Sequence, residues 1–241
     1  MCTVTYFPLK GESSFIVTHN RDEASFRKAL APQLYEELGA QLYYAKDTVA
    51  GGTWMGVSSN KQLVCLMNGA FSQHKRKVVY RLSRGIVVKE LLASDDILSA
   101  AENYNLGGIE QFYALLFTWK HKVEIYELVW DGEHRFLTKV DETIPHIWSS
   151  AMLYPPQQRI EREKMLAEFM NQYGKQAIQS EFILQFHQQK EHKNGEGIVI
   201  DRGFLKTTSI SQFHYTPKKQ SYFYHDLSQL NSKNEDIIFD N

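Results

Sequence analysis

Hydrophobic and polar residues alternate along several short segments of the chain, and this period of two is typical of β-strands. Near the N-terminus, residues 3–7 and 14–18 predict a hairpin that turns at residues 10–12. Beyond it, the pattern predicts a single strand and then a second hairpin, over residues 41–45, 53–58 and 62–67. The second hairpin is expected to turn at residues 59–61.

Three later regions carry apolar residues at every third or fourth position, which is the period of an amphipathic helix. Residues 77–101 form the first region, and a further helical turn is expected over residues 97–104. Pro155 and Pro156 open the second helix, because proline is tolerated in a first helical turn. The expected apolar side of this helix comprises Ile160, Leu166, Phe169, Met170 and Tyr173. A third helix is predicted over residues 180–190.

The remaining β-rich segments lie between and after these helices. They predict a meander and a closing hairpin around Pro217, over residues 112–119, 122–130, 135–140, 206–214 and 220–225. Groups of strands that alternate with groups of helices favour an α+β fold, with two antiparallel sheets packed face to face and helices outside. No repeat or linker interrupts the order, so we expect one domain over residues 1–241, with a loose polar tail at 231–241.

Net charge and hydrophobicity argue against nucleic acids and membranes as partners. The chain has 241 residues, 43% of them hydrophobic, and a net charge of −1. This charge gives no electrostatic attraction for nucleic acids or acidic membranes. No apolar run approaches the roughly 20 residues that span a bilayer, so no membrane insertion is expected. Lys10 and Glu12 interrupt the first 20 residues, which do not resemble a signal peptide, and a cytoplasmic location is predicted. The oligomeric state does not follow from the sequence.

Cysteine and histidine residues give no indication of a metal site. A disulfide between Cys2 and Cys65 is not expected in a reducing compartment. The chain has no pair of cysteines spaced for structural zinc. His187 and His192 are five positions apart and do not share a helix face, so we predict that both are surface residues. No cofactor is therefore expected.

Cys2 has two interpretations. In most proteins a cysteine at this position would be a small apolar residue at the start of an edge strand. Removal of Met1 would instead leave Cys2 with a thiol and a free α-amine, whose pKa values are about 8.5 and about 8. The amine can then accept the thiol proton, so that no separate histidine base is needed. Cys2 is therefore a candidate N-terminal nucleophile.

Two polar segments could complete such a site. Residues 19–23 follow the second predicted strand, where they could form a solvated turn with Asp22 as a cap. In the hairpin this end of the strand returns to Cys2, so that Asp22 could hold the α-ammonium and Arg21 could favour the thiolate. Asn68 precedes a glycine after a strand. It is either part of a turn or an amide donor to an oxyanion.

Three motifs resemble those of one family. They are MC at the start, NRDE at residues 20–23 and GGTWMG at residues 51–56. Their identity and spacing are similar to those of the NRDE family, also called the transport and Golgi organization protein 2 family, over essentially the whole chain. The resemblance implies the four-layer αββα sandwich of N-terminal-nucleophile hydrolases. It also implies roles in membrane trafficking, lipid and acyl-CoA homeostasis and haem movement.

A more distant resemblance, to choloylglycine hydrolases and penicillin acylases, implies roles for the N-terminal residues. Those enzymes also begin Met-Cys-Thr and carry Gly-Arg-Asn-x-Asp at the end of the second strand. Asp22 matches the carboxylate that orients the nucleophile's amine, and Asn20 matches the asparagine of the motif. His19 stands where those enzymes have arginine, and Arg21 is the alternative source of the cation.

The same resemblance extends to three later positions. Asn68 matches an oxyanion donor, whereas Ser150 replaces a second asparagine and Lys206 replaces a late arginine. Lysine does not bind as arginine does at a bidentate site. Trp54, in the GGTWMG motif, is either a core residue or a substrate-binding residue. The resemblance thus supports a thiol that can be activated. It does not support hydrolysis of bile salts or penicillins in particular.

Two functions remain open, apart from a purely structural scaffold. In the first, Cys2 attacks a linear amide, ester or thioester, and the protein is a hydrolase of non-peptide C–N or acyl bonds, or an acyltransferase. In the second, it is a non-catalytic carrier or chaperone of an apolar small molecule such as haem, a lipid or acyl-CoA. Cys2, His19 and His214 would then be the soft ligands near the site.

Overall fold

The computed structural model describes residues 2–9, 13–173, 178–192, 195–229 and 231–239. In chain order, the elements are β1 (Cys2–Pro8), β2 (Phe15–Ala24), β3 (Ala29–Glu37), β4 (Ala40–Asp47), β5 (Met55–Ser58), β6 (Gln62–Asn68), α1 (Arg84–Ala93), α2 (Ile97–Asn103), β7 (Phe112–Thr118), β8 (Glu124–Trp130), β9 (Arg135–Val140), β10 (His146–Ser149), α3 (Pro156–Tyr173), α4 (Ser180–His187), β11 (Glu191–His192), β12 (Gly195–Glu196), β13 (Asp201–Arg202), β14 (Leu205–Thr216), β15 (Lys219–Asp226) and β16 (Asn231–Asp236).

In the part of the chain that the structure describes, these elements form two units, each with its own seven-stranded antiparallel sheet, and β11 and β12 form a separate two-stranded sheet in the first unit. The first unit comprises Met1–Phe26, Thr143–Ser149 and Tyr154–Ile238, and the second comprises Arg27–Glu142, Ser150–Leu153 and Phe239–Asn241. The α+β class with two antiparallel sheets is therefore confirmed. Within the described ranges, no helix has the length and apolar character needed to cross a membrane.

The first sheet has the order β10-β1-β2-β14-β15-β16, with β13 paired to β14. Helices α3 and α4 pack against it through a cluster that includes Phe7 and Ile16 of the sheet and Phe169, Ile183 and Phe186 of the helices. The predicted N-terminal hairpin is confirmed as β1 and β2, which pair with Cys2 opposite Arg21. Its predicted turn at residues 10–12 lies outside the described residues.

The second sheet contains β3 to β9 in sequence order, each strand antiparallel to the next. The predicted second hairpin and meander are confirmed within it. Helices α1 and α2 pack on this sheet, where Val88, Leu91 and Leu92 join Leu42 and Val64 in the core. This arrangement follows from the three- and four-residue spacing of apolar residues in the first predicted helical region.

Four details of the predicted elements are corrected. The first predicted helix begins at Arg84 rather than at residue 77, because Ser83 caps it and Val78 and Val79 before it are exposed. Ile160, expected on the apolar side of α3, is 45% exposed. Part of the predicted loose tail is the edge strand β16, which pairs with β15. The run at residues 19–23 lies inside β2 rather than after it, because β1 and β14 both pair with this part of the strand.

Candidate functional site

Cys2 and Arg21 lie on the same face of the first sheet. They are direct partners in the β1–β2 pairing, and residues opposite each other in antiparallel strands project to the same side. Cys2 is only 2% exposed. Burial, together with the charge of Asp22, raises the pKa of the Cys2 thiol above its usual value, whereas the charges of the N-terminal ammonium and Arg21 lower it. The thiol is therefore protonated at neutral pH and needs a base before it can attack.

Asp22 projects to the opposite face of β2, where it is fully buried. Its carboxylate accepts hydrogen bonds from the Tyr154 hydroxyl at 2.6 Å and from Thr207 Oγ1 at 2.7 Å. Burial raises the pKa of Asp22, and the two hydrogen bonds and the charge of Arg162 partly offset this effect. The carboxylate is thus held in a fixed position close to the end of the chain.

Arg162 is a buried cation beside this carboxylate. Its guanidinium carbon lies 3.8 Å from the centroid of the Tyr154 ring, within the range of a cation–π contact. Its nitrogens donate to the Gly197 carbonyl at 3.1 Å and to Thr3 Oγ1 at 3.5 Å. These contacts fix Tyr154, which in turn fixes Asp22.

His187 is fully buried, and the prediction of a surface histidine is wrong. Its Nδ1 lies 2.7 Å from Asn20 Oδ1, and its Nε2 lies 2.7 Å from Thr5 Oγ1. Asn20 Nδ2 donates to the His187 carbonyl, so Asn20 Oδ1 must accept a proton from Nδ1 and Thr5 must donate to Nε2. The amide of Asn20 is thereby used to fasten the end of α4 to β2.

The neutral state of His187 makes stability depend on pH. Burial and the Arg162 charge lower the pKa of His187 to about 3. The unfolded chain takes up this proton near pH 6.5. Stability from the neutral ring is therefore complete above about pH 6.5 and is lost progressively as the pH falls towards 3, with a slope of up to about 1.4 kcal/mol per pH unit.

We expect His187→Asn, which keeps a donor towards Asn20 but does not titrate, to remove this slope. The measurement is the free energy of unfolding in urea between pH 4 and pH 7.5. Contributions from other groups, such as His19 and Asp22, are present in both proteins and cancel in the difference between the two curves. Parallel curves over this range would contradict the assignment.

His19 lies on the Cys2 side of the sheet and is fully buried. Neither of its ring nitrogens has a hydrogen-bond partner among the described residues, and the same holds for Oγ of Ser211, its partner on β14. Burial, with the charges of the N-terminal ammonium and Arg21, holds the pKa of His19 well below its usual range, so that the ring is neutral. These atoms can bind a polar group of a ligand.

The Lys206 side chain is exposed and lies away from the buried cluster. Its ammonium binds Asp201 at 2.9 Å, and both side chains are well exposed. The next residue, Thr207, is the one that contacts Asp22. The structure therefore does not bring the Lys206 ammonium to the buried carboxylate.

Three predicted site residues belong to the second unit. Asn68 ends β6, and its backbone oxygen accepts hydrogen bonds from Ser150 Oγ at 2.7 Å and from the Met152 amide at 3.4 Å. Asn68 and Ser150 are therefore brought together. Trp54 is buried before β5, and its carbonyl accepts the Leu66 amide proton at 2.7 Å.

The glycines of the GGTWMG motif have a structural role. A Cβ atom on Gly52 would lie 2.4 Å from the carbonyl carbon of Gly85 in α1, and the Thr53 amide donates to the Gly85 carbonyl. Only glycine permits this approach of two backbones. The motif thus fixes α1 against the second sheet.

A cavity of about 560 Å³ lies in the first unit, and Thr207, a hydrogen-bond partner of Asp22, forms part of its wall. Its apolar wall includes Val199, Ile200 and Leu227, and its polar wall includes Thr207 and Thr208. Pockets for small molecules commonly have volumes of about 300–1,000 Å³. Across the ranges that the structure describes, no group of three or more histidine, cysteine or acidic side chains is arranged to hold a metal ion.

Sequence reasoning missed five residues that hold the N-terminal cluster, namely Tyr154, Arg162, His187, Thr207 and Thr208. Thr207 and Thr208 could have been noticed because they follow Lys206, which the resemblance had singled out. The other three carry no local signal, since each is a single polar residue in or beside a helix.

Solved structures of three hydrolytic enzymes are similar to this chain. A variant of the conjugated bile acid hydrolase of Clostridium perfringens has a TM-score of 0.54 at 10% identity, covering 98% of this chain and 92% of that one. The N-acylethanolamine-hydrolyzing acid amidase ortholog of Caenorhabditis elegans has a TM-score of 0.60 at 9% identity, covering 88% and 92%. Penicillin V acylase of Agrobacterium tumefaciens has a TM-score of 0.55 at 10% identity, covering 98% and 86%.

At these identities the likeness shows the fold alone, which is that of N-terminal-nucleophile hydrolases, as predicted. No curated protein matches the chain. The family model described as Transport and Golgi organisation 2 matches residues 1–222. The chain therefore belongs to the Transport and Golgi organisation 2 family.

Proposed function

We propose that the protein is a cysteine hydrolase or acyltransferase of the N-terminal-nucleophile type, which acts on a linear amide, ester or thioester. The observation that carries the proposal is the placement of Cys2 opposite Arg21, with the buried carboxylate of Asp22 on the next residue. A scaffold would gain nothing from burying these charged groups at the start of the chain, since each must be desolvated. Their retention in β2 favours chemistry at Cys2.

Acylation begins once removal of Met1 has freed the α-amine of Cys2. The amine accepts the thiol proton, and the sulfur attacks the carbonyl carbon of the substrate to form a carbon–sulfur bond. When the tetrahedral intermediate collapses, the bond to the leaving group breaks. The leaving amine, alcohol or thiol takes the proton from the α-ammonium, and a thioester of Cys2 remains.

Deacylation reverses these roles. The α-amine takes a proton from water, or from an acceptor alcohol, amine or thiol, and the resulting nucleophile attacks the thioester. The carbon–sulfur bond breaks, and the α-ammonium returns its proton to the sulfur. The products are a carboxylic acid or a transferred acyl group, and no cofactor takes part.

Each remaining candidate has a role in this scheme. Asp22 holds the α-ammonium, Arg21 favours the thiolate, and His19 binds a polar group of the substrate with its unpartnered ring nitrogens. The resemblance assigns the oxyanion donor to Asn68. The substrate-binding roles predicted for Asn20, Trp54, Ser150 and Lys206 stay predictions.

The raised pKa of the Cys2 thiol supports the need for an internal base. A buried thiol that is protonated at neutral pH reacts slowly unless a neighbouring group removes its proton. The buried histidines are poor candidates because the pKa values of His19 and His187 are both lowered. An α-amine ordinarily has a pKa of about 8, which suits a base that removes a thiol proton near neutral pH. The cavity of about 560 Å³, whose wall includes the threonines that contact Asp22 and Arg21, supports a small-molecule substrate.

The test is a panel of p-nitrophenyl esters, p-nitroanilides and acyl thioesters with acyl chains of graded length. We expect at least one class to release product in a burst and to leave an acyl adduct on the peptide that contains Cys2, detected by mass spectrometry. Product formation without an adduct on Cys2 would rule out the covalent mechanism. No turnover of any class, with a stoichiometric change in the haem absorption spectrum that Cys2→Ser abolishes, would favour a carrier.

A further inference from the structure

The pairing of β2 with β14 is interrupted at a single residue, Thr208. Thr207 is opposite Asp22 and Ser209 is opposite Arg21, so that Thr208 is the extra residue of a β-bulge. In such a bulge two residues of one strand face a single residue of its partner, and bulges commonly re-aim a side chain near a functional site. The residue that faces this bulge is Arg21, the partner of Cys2.

Thr208 makes two contacts with Arg21 through one hydroxyl. Its Oγ1 donates to the backbone oxygen of Arg21 at 3.1 Å and accepts from Arg21 Nη1 at 3.2 Å. The carbonyl of Thr208 accepts the Leu227 amide proton at 3.0 Å, which anchors the bulge to the end of β15. The hydroxyl is therefore a fixed point between the backbone and the guanidinium of Arg21.

Two adjacent threonines thus contact two adjacent residues that point in opposite directions. Thr207 binds Asp22 on the helix side of the sheet, whereas Thr208 binds Arg21, which shares a side with Cys2. A regular strand would place each threonine strictly opposite one partner. The inserted residue gives Arg21 an additional hydroxyl while the bond between Thr207 and Asp22 is kept.

We propose that Thr208 is a positioning residue that holds the Arg21 guanidinium on the face of the first sheet that carries Cys2. The proposal deepens the proposed function and rests on it for the role of Cys2 as nucleophile. An arginine side chain has many rotamers, and a fixed acceptor selects among them. Without the hydroxyl, the guanidinium loses the hydrogen bond at 3.2 Å that helps to fix its position on this face.

The charges that act on Cys2 determine the direction of the expected effect. Asp22 disfavours the thiolate and Arg21 favours it, while His19 on the same face is neutral. A displaced Arg21 removes one of the charges that favour the thiolate, beside that of the N-terminal ammonium. The thiol then ionises at higher pH.

The experiment measures the rate at which iodoacetamide alkylates Cys2 between pH 6 and pH 10, by mapping the labelled peptide. For Thr208→Val, which keeps the shape but loses the hydroxyl, we expect the midpoint of the pH profile to rise by about 0.3–0.7 pH units. The rate at pH 7.5 should then fall about two- to fivefold. Thr208→Ser, which keeps the hydroxyl, should match the wild type.

Thr216→Val serves as the matched control, because Thr216 makes its hydroxyl bond to Lys219 at the far end of β14. This variant should leave the profile unchanged. Unfolding temperatures of all variants show whether each is folded, and Thr208→Ala replaces Thr208→Val if the latter does not fold. A folded variant without the hydroxyl whose profile matches the wild type would overturn the proposal.

The measurement needs no substrate, so its outcome is separate from that of the proposed function. A shifted profile in a protein that turns over no acyl substrate would support the role of Thr208 and reject the hydrolase. Normal turnover with an unshifted profile would support the hydrolase and reject the role of Thr208.

Discussion

Replacing Cys2 with alanine is expected to reduce turnover by at least about a thousandfold, because the proposed acyl intermediate forms on its sulfur. Cys2 is a small buried residue at the end of a strand, so that loss of its sulfur should leave the fold intact. The measurement is the steady-state rate with the best substrate of the acyl panel, together with the circular dichroism spectrum and unfolding temperature.

Cys65→Ala is the matched control for this prediction. Cys65 is buried in β6 of the second unit, and its removal should cost stability, about 1–2 kcal/mol, without loss of turnover. Equal losses of activity in the two variants would point to a general effect of cavity formation. Full activity of Cys2→Ala would exclude Cys2 as the nucleophile.

Asp22→Asn is expected to lower turnover about 100- to 1,000-fold, since an amide cannot balance the charge of the α-ammonium. The change keeps the size of the side chain, and the oxygen of the introduced amide can still accept the hydrogen bond from either Tyr154 or Thr207. The expected defect lies in kcat rather than in folding. Asp131→Asn, in a surface turn of the second unit, is the control and should retain full turnover.

Although Asp22→Asn should lower turnover, it should raise stability relative to wild type as the pH increases. Because the pKa of Asp22 is raised in the folded protein, its carboxyl group contributes stability at low pH that is lost as the pH rises through that value. The variant has no such loss. We therefore expect the unfolding temperature of Asp22→Asn, relative to wild type, to increase between pH 4 and pH 8. A relative decrease would show that the carboxylate is stabilising.

The pairing of Cys2 with Arg21 could be predicted because the two strands that carry them are neighbours in the sequence. The two runs of alternating residues follow each other closely in the sequence, so that Cys2 and Arg21 were expected to meet at the open end of a hairpin, as they do. The meander of the second sheet followed from the same kind of pattern. Such contacts are close in sequence, and hydrophobic periodicity reports them well.

The supporting residues could not be predicted because they come from distant parts of the chain. Tyr154 is 132 positions from Asp22, and His187 is 167 positions from Asn20. Periodicity identifies apolar faces but does not show which polar residue another element supplies. The same limit made residues 19–23 resemble a solvated turn, although their side chains are mostly buried and hydrogen-bonded inside β2.

Sheet edges and helix caps account for the other differences between the predicted elements and those of the structure. β16 has few apolar residues and forms through backbone pairing with β15, which the side-chain pattern does not reveal. Val78 and Val79 fit the helical spacing of α1 but precede its cap at Ser83 and are exposed. The cap was the stronger local signal for the start of the helix.

The central claim is that Cys2 is an activated N-terminal nucleophile, and the intact mass of the natively expressed protein tests it most directly. The mass is measured before and after brief treatment with iodoacetamide, and the adduct is mapped to Cys2 or Cys65. We predict that Met1 is absent and that Cys2 is labelled selectively and fast. A protein that retains Met1 and has an inert Cys2 would contradict the account.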